Sequence, residues 1–301
     1  MKVLITGSNG FIGQHLCQTL ESRYSIIRHG RKVEFSNENN KYFNLDVNSN
    51  SDWQGHLENI NTVIHLAASA HKKLNDLEKI DEVNVNGTLR LAQQAATAGV
   101  KRFIFISSIG VLGDKTILPF NERTIEAPHS DYAKSKLKAE IGLLELARAS
   151  SLEVVIIRPV LVYGGTAPGN FSKLKSLINK LPILPFGLVN NKRSFISVDN
   201  LVDFIRLCVE HPNAKNEIFC ISDGVDVSIK KFTSSIATGL SKNLIQIPVP
   251  TWFIKFIGSV FRKDEMVKQL IGDLQIDISK AKNLLGWSPV ETMDQAMSKL
   301  K

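Results

Sequence analysis

The chain has 301 residues, is 43% hydrophobic and 22% charged, and carries a formal charge of +8, the profile of a soluble globular protein with one large domain or two closely joined ones. Its basic clusters, Arg28–Lys32, His71–Lys73 and Lys134–Lys138, are not interleaved with aromatic residues, which excludes a nucleic-acid platform and leaves a phosphorylated small molecule, a membrane surface or plain solvation as the reason for the charge. Three cysteines, Cys17, Cys208 and Cys220, with no CxxC pair, exclude a disulfide scaffold and a zinc site and fit buried thiols in a reducing cytoplasm.

The first apolar run, Lys2–Thr6, has only a strand's length and leads into a glycine turn, unlike a signal peptide. Similar runs recur at Tyr24–Ile27, Thr62–Ala67, Arg102–Ser107 and Glu153–Pro159. They are continuous, rich in β-branched residues and bounded by turn residues, as expected of strands buried on both faces. Helical patterns separate them at Ile12–Ser22, Asp76–Ala98 and Tyr132–Ser150. The alternation predicts an α/β fold, a doubly wound parallel sheet with helices on both sides.

After Pro159 glycine and proline become dense. Helices are expected near Asn170–Lys180 and Asn200–Glu210, and a strand at Glu217–Asp223 is expected to rejoin the sheet. From Val225 onward short helices predict a smaller, mostly helical C-terminal substrate lobe. Residues 1–163 and about 198–223 are thus assigned to the nucleotide-binding domain, and about 164–197 with 224–301 to the lobe. No run of eighteen apolar residues occurs, so no transmembrane segment is expected. Thr251–Phe261, TWFIKFIGSVF, reads as an amphipathic helix expected to pack on the protein itself, with a bilayer surface as the alternative.

Ligands of a parallel sheet bind at the carboxyl ends of its strands, and TGSNGFIG (Thr6–Gly13) follows the first one. Gly7 permits a tight turn, Gly10 lets backbone approach a pyrophosphate, and Gly13 lets the helix lie close to the sheet. The helix N-terminus adds free N–H groups and partial positive charge. Glycine turns also serve as plain connectors; the strand before and the helix after favour a dinucleotide site.

Tyr132 and Lys136 are four apart and share one helix face. An ammonium beside a phenol favours phenolate, so the pair can exchange a proton with a carbonyl or alcohol oxygen. Alone, the spacing is a common surface coincidence. Ser107 and Ser108 end an earlier strand and can hydrogen-bond the same oxygen, or simply cap the strand.

TGxxGxxG, HLAA (His65–Ala68), NVNGT (Asn84–Thr88), the serine pair and YxxxK together resemble the extended short-chain dehydrogenase/reductase superfamily, in its nucleotide-sugar epimerase and reductase branch. The likeness runs on through Arg158–Gly165, Arg193–Asp203 and Asp277–Trp287. It implies a Rossmann fold and a catalytic set of Ser108, Tyr132 and Lys136, with Lys136 also on the nicotinamide ribose. It implies that Gly7, Gly10, Phe11, Ile12 and Gly13 hold the pyrophosphate, that Asp46 and Val47 lie beside the adenine, and that Ala67, Ala68 and Asn84 line the cofactor. Ser107, Ser108, Asn170 and Arg193 would meet the sugar nucleotide. A basic residue usually adds a second diphosphate contact in the last lobe; here Gln269 stands at that place, next to Lys268.

The second strand lacks the acid that would bond the adenosine ribose of NAD and offers Arg28, Arg31 and Lys32 instead, which favours NADP over NAD, unless these are only solvated loop cations. Ile109 and Gly110 follow Ser108 where a 4,6-dehydratase of this branch carries Asp-Glu, so water elimination has no proton shuttle. The resemblance implies hydride transfer at C4 of a UDP-linked N-acetylhexosamine for surface-polysaccharide (lipopolysaccharide) synthesis, with a 4-reductase of a 4-keto-6-deoxy sugar as the leading reading. The alternative is a 4-epimerase acting on UDP-glucose, UDP-N-acetylglucosamine or a polyprenyl-diphosphate-linked sugar. A non-catalytic dinucleotide-sensing protein is the reading of another class. Relatives of this kind imply a cytoplasmic homodimer joined through the helix bearing Tyr132, whose stretch Leu137–Ala147 is apolar beyond one stripe.

Overall fold

The computed structural model describes residues 1–30, 41–69 and 77–300. Its strands are β1 (Lys2–Thr6), β2 (Ser25–His29), β3 (Lys41–Phe43), β4 (Thr62–His65), β5 (Arg102–Ile106), β6 (Glu153–Pro159), β7 (Leu161–Tyr163), β8 (Ile183–Leu184), β9 (Arg193–Ser197), β10 (Ile218–Ile221), β11 (Asp226–Val227) and β12 (Ile245–Gln246). The helices are α1 (Phe11–Leu20), α2 (Leu77–Asp81), α3 (Thr88–Thr97), α4 (Asp131–Ala149), α5 (Asn170–Lys180) and α6 (Val198–Glu210), then α7 (Ile229–Gly239), α8 (Thr251–Val260), α9 (Asp264–Ile271), α10 (Ser279–Leu285) and α11 (Met293–Ser298).

Seven strands form one parallel sheet in the order β10-β6-β5-β4-β1-β2-β3. Both faces are apolar because the strands are: Val3, Leu4 and Ile5 are all fully buried, as are Val154 to Ile157. Val3, Ile5 and Val155 face a core shared with α1, α6 and α10, whereas Leu4, Val154 and Ile156 face one shared with α3 and α4. Side chains of a strand alternate between faces, so each strand serves both cores. The Glu217–Asp223 segment does rejoin this sheet, as β10 beside β6.

The chain runs outward from β1 through β2 to β3, then returns to β4 on the other side of β1. A crevice opens at such a reversal, at the carboxyl ends of the strands. The loops after β1, β4 and β5 carry the glycines, Ala67–Ala68 and Ser107–Ser108 to that edge.

A third core gathers Tyr163, Phe171, Phe195, Phe232 and Met297 beside two small sheets, β11-β9-β7 and β12-β8. Phe195 stacks on Phe232 with ring centres 3.8 Å apart. The Tyr163 hydroxyl donates to Asp223 at 2.7 Å, tying this core to the end of β10.

Two expectations need correction, and one strand was not foreseen. The helix expected over Asp76–Ala98 is interrupted by a π-helical turn at Glu82–Gly87, where a Cβ on Gly87 would lie 2.7 Å from the Val47 carbonyl carbon. The β3 strand had no apolar run to announce it. The Thr251–Phe261 helix packs on the protein only through Ile254 and Gly258, and most of its apolar residues stay exposed. The three cysteines are buried free thiols. Among the described residues no helix is long and apolar enough to cross a membrane.

Candidate active site

The loop after β1 is built by close backbone approach. Gly7 has φ +70°, and a Cβ there would stand 2.9 Å from the Ala67 nitrogen. At Gly13 a Cβ would lie 2.3 Å from the Gly7 oxygen, so α1 sits on the loop closer than any other residue allows. Gly10 is the N-cap of α1 and no side chain caps the helix, leaving the backbone donors of Phe11, Ile12 and Gly13 at its open end. A Cβ on Gly10 would meet only the Gly7 oxygen, at 3.2 Å. This cradle of glycines at an uncapped helix start fits a pyrophosphate.

His65 fastens the loop from beneath. Its Nδ1 bonds the Thr6 hydroxyl at 2.7 Å and its Nε2 the Thr88 hydroxyl at 2.9 Å. Complete burial, with Lys136 nearby, holds its pKa well below the usual histidine value, so the ring is neutral. His65 and Thr88 belong to HLAA and NVNGT, in which the resemblance assigns roles only to Ala67, Ala68 and Asn84; their spacing from Thr6 gives no sign of the network.

Asp46 and Val47, expected beside the adenine, lie in the segment following β3, the first exposed and the second half-buried. Arg28 departs from expectation. It lies one position short of the end of β2 and pairs with Glu21, at the C-terminal end of α1. The cation expected to face the coenzyme is thus committed to the far end of the helix. Arg31 and Lys32 lie outside the described residues, as do His71–Lys73.

Ser108, after β5, accepts the Gly110 N–H at 3.1 Å, which leaves its own O–H to donate. Ser107 is buried, and its hydroxyl has no hydrogen-bond partner among the described residues. A Cβ on Gly110 would lie 3.5 Å from that of Ala133, so the serine turn rests against the first turn of α4, beside Tyr132. That turn begins at the Ser130 cap, whose hydroxyl accepts the Ala133 N–H at 3.1 Å. Asn84, fully buried in the π-helical turn, donates to Ser69 O at 3.1 Å and to the Ser135 hydroxyl at 3.0 Å. Ser135 in turn donates to Tyr132 O at 2.8 Å. Asn84 therefore joins the Ala67–Ser69 loop to the turn carrying Tyr132 and Lys136.

Lys136 Nζ donates to Ile106 O at 2.8 Å and lies 4.4 Å above the Phe105 ring. Burial lowers its pKa to about 7, with Glu140 opposing the shift. Burial pushes Tyr132 up to about 12. The expected acidification of the phenol by the ammonium is therefore outweighed among this chain's own groups, because both side chains are desolvated. A protonated phenol and a serine O–H can both donate to one substrate oxygen.

A buried ion pair was not anticipated. Arg158, at the end of β6, bonds Glu140 on α4 through Nη2 at 2.6 Å, both side chains 1% exposed. Glu126 adds a second carboxylate at 3.2 Å. Only the YxxxK-x-x-x-E register, Glu140 one turn beyond Lys136, hinted at it.

At the lobe, Asn170 opens α5 and donates to Gln269 at 3.3 Å, while Arg193 opens β9 and its Nη1 donates to Gly272 O at 3.1 Å. Burial lowers the Arg193 pKa to about 10, with Asp114 and Asp273 opposing. The two residues thus share one anchor, the end of α9, and Gln269 lies against Asn170.

The profile of the NAD dependent epimerase/dehydratase family matches residues 3–222. A UDP-glucose 4-epimerase of Vibrio cholerae is 44% identical, over 97% of this chain and 92% of its own. A dTDP-4-dehydro-6-deoxyglucose reductase of Escherichia coli is 26% identical, over 99% of this chain and 96% of its own. The crystal structure of UDP-glucose 4-epimerase from Thermotoga maritima with UDP-glucose superposes with a TM-score of 0.77 at 26% identity, covering 100% of this chain and 97% of that one.

Proposed function

Since the chain belongs to the NAD dependent epimerase/dehydratase family, we propose that it is a nucleotide-sugar 4-epimerase, removing hydride from C4 of a UDP-linked hexose or N-acetylhexosamine and returning it to the other face. The observation that carries this reading is the 44% identity to a UDP-glucose 4-epimerase along nearly the whole chain. It moves the emphasis from the reductase expected from the sequence to the epimerase alternative.

Gly7, Gly10, Gly13 and the start of α1 would hold the pyrophosphate of a nicotinamide dinucleotide, with Ala67, Ala68 and Asn84 beside it. That group supplies, when bound, a reversible hydride acceptor. Ser108 donates its free O–H to the C4 oxygen. Tyr132 holds the proton that leaves or rejoins that oxygen. Lys136, poised near neutrality, supplies positive charge when the phenol must act as base and would also hold the ribose. Asn170 and Arg193 hold the substrate diphosphate; Gln269, lacking charge, contributes hydrogen bonds only. The apolar α4, with Ile141 half exposed, is read as the face of a homodimer.

A 4-reductase using NADPH is the second reading. It is favoured by Arg31 and Lys32 and by the reductase relative. Epimerisation gives a mixture of C4 epimers with no net change in nicotinamide absorbance. Reduction consumes NADPH in step with a UDP-4-keto-6-deoxy-N-acetylhexosamine. Supplying each substrate in turn separates the two.

A further inference from the structure

We propose that α8 is a docking surface for an anionic lipid bilayer. The inference does not depend on which sugar reaction the site performs.

Successive residues of a helix are about 100° apart. Ile254 and Gly258, four apart, make the buried stripe of α8. Gly258 is where the helix presses on α9: a Cβ there would lie 2.6 Å from Val267. On the opposite side Trp252, Phe256, Val260, Phe253 and Ile257 fill a continuous arc of about 140°, and Phe261 follows at the C-terminal end. All six are between 40% and 68% exposed. The four aromatic rings alone present on the order of 350–600 Å², as much as the largest apolar patch of an ordinary monomer. Ile245 and Ile247, on the segment leading into α8, are exposed as well.

Charge identifies the occupant. From Thr251 to Lys263 the charged residues are Lys255, Arg262 and Lys263, all exposed, with no carboxylate before Asp264. Aromatic rings bordered by cations match the boundary between acyl chains and anionic headgroups. A second copy of the chain fits less well. A twofold contact sets a patch against itself, and these cations would face their own counterparts.

The surface adjoins the lobe end of the candidate site. The same α9 that receives α8 carries Gln269, the partner of Asn170, and runs into Gly272, the partner of Arg193. Docking would place the candidate diphosphate-binding residues one helix away from the headgroup layer.

Trp252 provides the test, because it is 68% exposed whereas Trp53 and Trp287 are 0% and 3% exposed. The full chain is mixed with vesicles of phosphatidylcholine and phosphatidylglycerol, and separately with phosphatidylcholine alone. With anionic vesicles the emission should shift to the blue, acrylamide quenching should fall, and the protein should sediment with the lipid; high salt should weaken all three. The double variant Phe256→Ser/Ile257→Ser should lower sedimentation by about tenfold while keeping the circular dichroism spectrum and turnover of a soluble sugar nucleotide. Lys255→Glu/Arg262→Glu, which leaves the apolar arc intact, should abolish the preference for anionic vesicles. Quenching of Trp252 that is the same with anionic vesicles as in buffer would overturn the proposal. So would a fall in solution mass on Phe256→Ser/Ile257→Ser without lipid, which would assign the face to a second copy.

Discussion

Lys136 and Tyr132 stand one turn apart on α4, with Nζ 5.8 Å from the centre of the phenol ring, yet the ammonium donates to the Ile106 carbonyl. The pair is pre-positioned by backbone anchors on both sides: Ile106 for the lysine, and Ser135 with Asn84 for the turn of the tyrosine. Tyr132→Phe should therefore keep the fold and the affinity for a nicotinamide dinucleotide while lowering turnover by about 10²–10⁴-fold. Steady-state kinetics and a dinucleotide titration check this; unchanged turnover would remove Tyr132 from the mechanism.

Gly13→Ala drives a Cβ to 2.3 Å from the Gly7 oxygen and 2.7 Å from Ser8 Cα, both backbone atoms that cannot swing aside. Dinucleotide affinity should fall by at least tenfold, with a stability loss of about 1–3 kcal/mol. Gly55→Ala, where nothing lies within 4 Å, is the control and should stay within about 0.5 kcal/mol of the parent. Calorimetric titration and urea unfolding of both variants measure the contrast.

Glu140→Gln leaves Arg158 charged and enclosed. Breaking a buried pair from one side costs about 3–5 kcal/mol, so the urea midpoint should drop sharply. Glu126, on a 41% exposed side chain, is screened by solvent, and Glu126→Gln should lower stability by less than about 1 kcal/mol.

Acid should destabilise the protein through two histidines. Burial lowers the pKa of both His29 and His65 below the ordinary 6.5. Below that value the unfolded chain binds protons that the folded chain refuses. Their contribution to stability is present above pH 6.5 and is lost as pH falls towards the folded values, by up to about 1.4 kcal/mol per pH unit for each ring. Urea midpoints taken from about pH 7 down to pH 5 should fall, and His65→Asn should reduce the slope.

Arg28→Met should leave the ratio of NADP to NAD affinity unchanged, because the guanidinium faces Glu21 at the far end of α1. Fluorescence titration with each dinucleotide tests this. A loss of NADP affinity alone would return Arg28 to the coenzyme.

The parts legible in the sequence were those with local signals. Glu153–Pro159 and Asn170–Lys180 have the bounds expected of them, the first marked by a β-branched run and the second by an amphipathic pattern between breakers. The glycine spacing named a close-packed loop, and the structure shows the contacts that demand it. What was hidden depends on through-space arrangement. Arg28 was expected near the coenzyme, but strand alternation turns it toward α1. The sequence places a lysine beside the tyrosine to acidify it, but the balance depends on how deeply both groups are buried. The pairings of Arg158 with Glu140 and Asn170 with Gln269 join residues 18 and 99 apart in the chain. For α8, the amphipathic pattern marks an apolar side but not that only Ile254 and Gly258 would be covered.

The central claim, reversible hydride transfer at C4, is tested most directly with UDP-glucose or UDP-N-acetylglucosamine deuterated at C4 and the enzyme supplied with dinucleotide. The account predicts a mixture of the two C4 epimers, with deuterium retained at C4 and no net change in nicotinamide absorbance. Absence of the second epimer, together with NADPH consumption in step with a UDP-4-keto-6-deoxy-N-acetylhexosamine, would contradict it and establish the reductase.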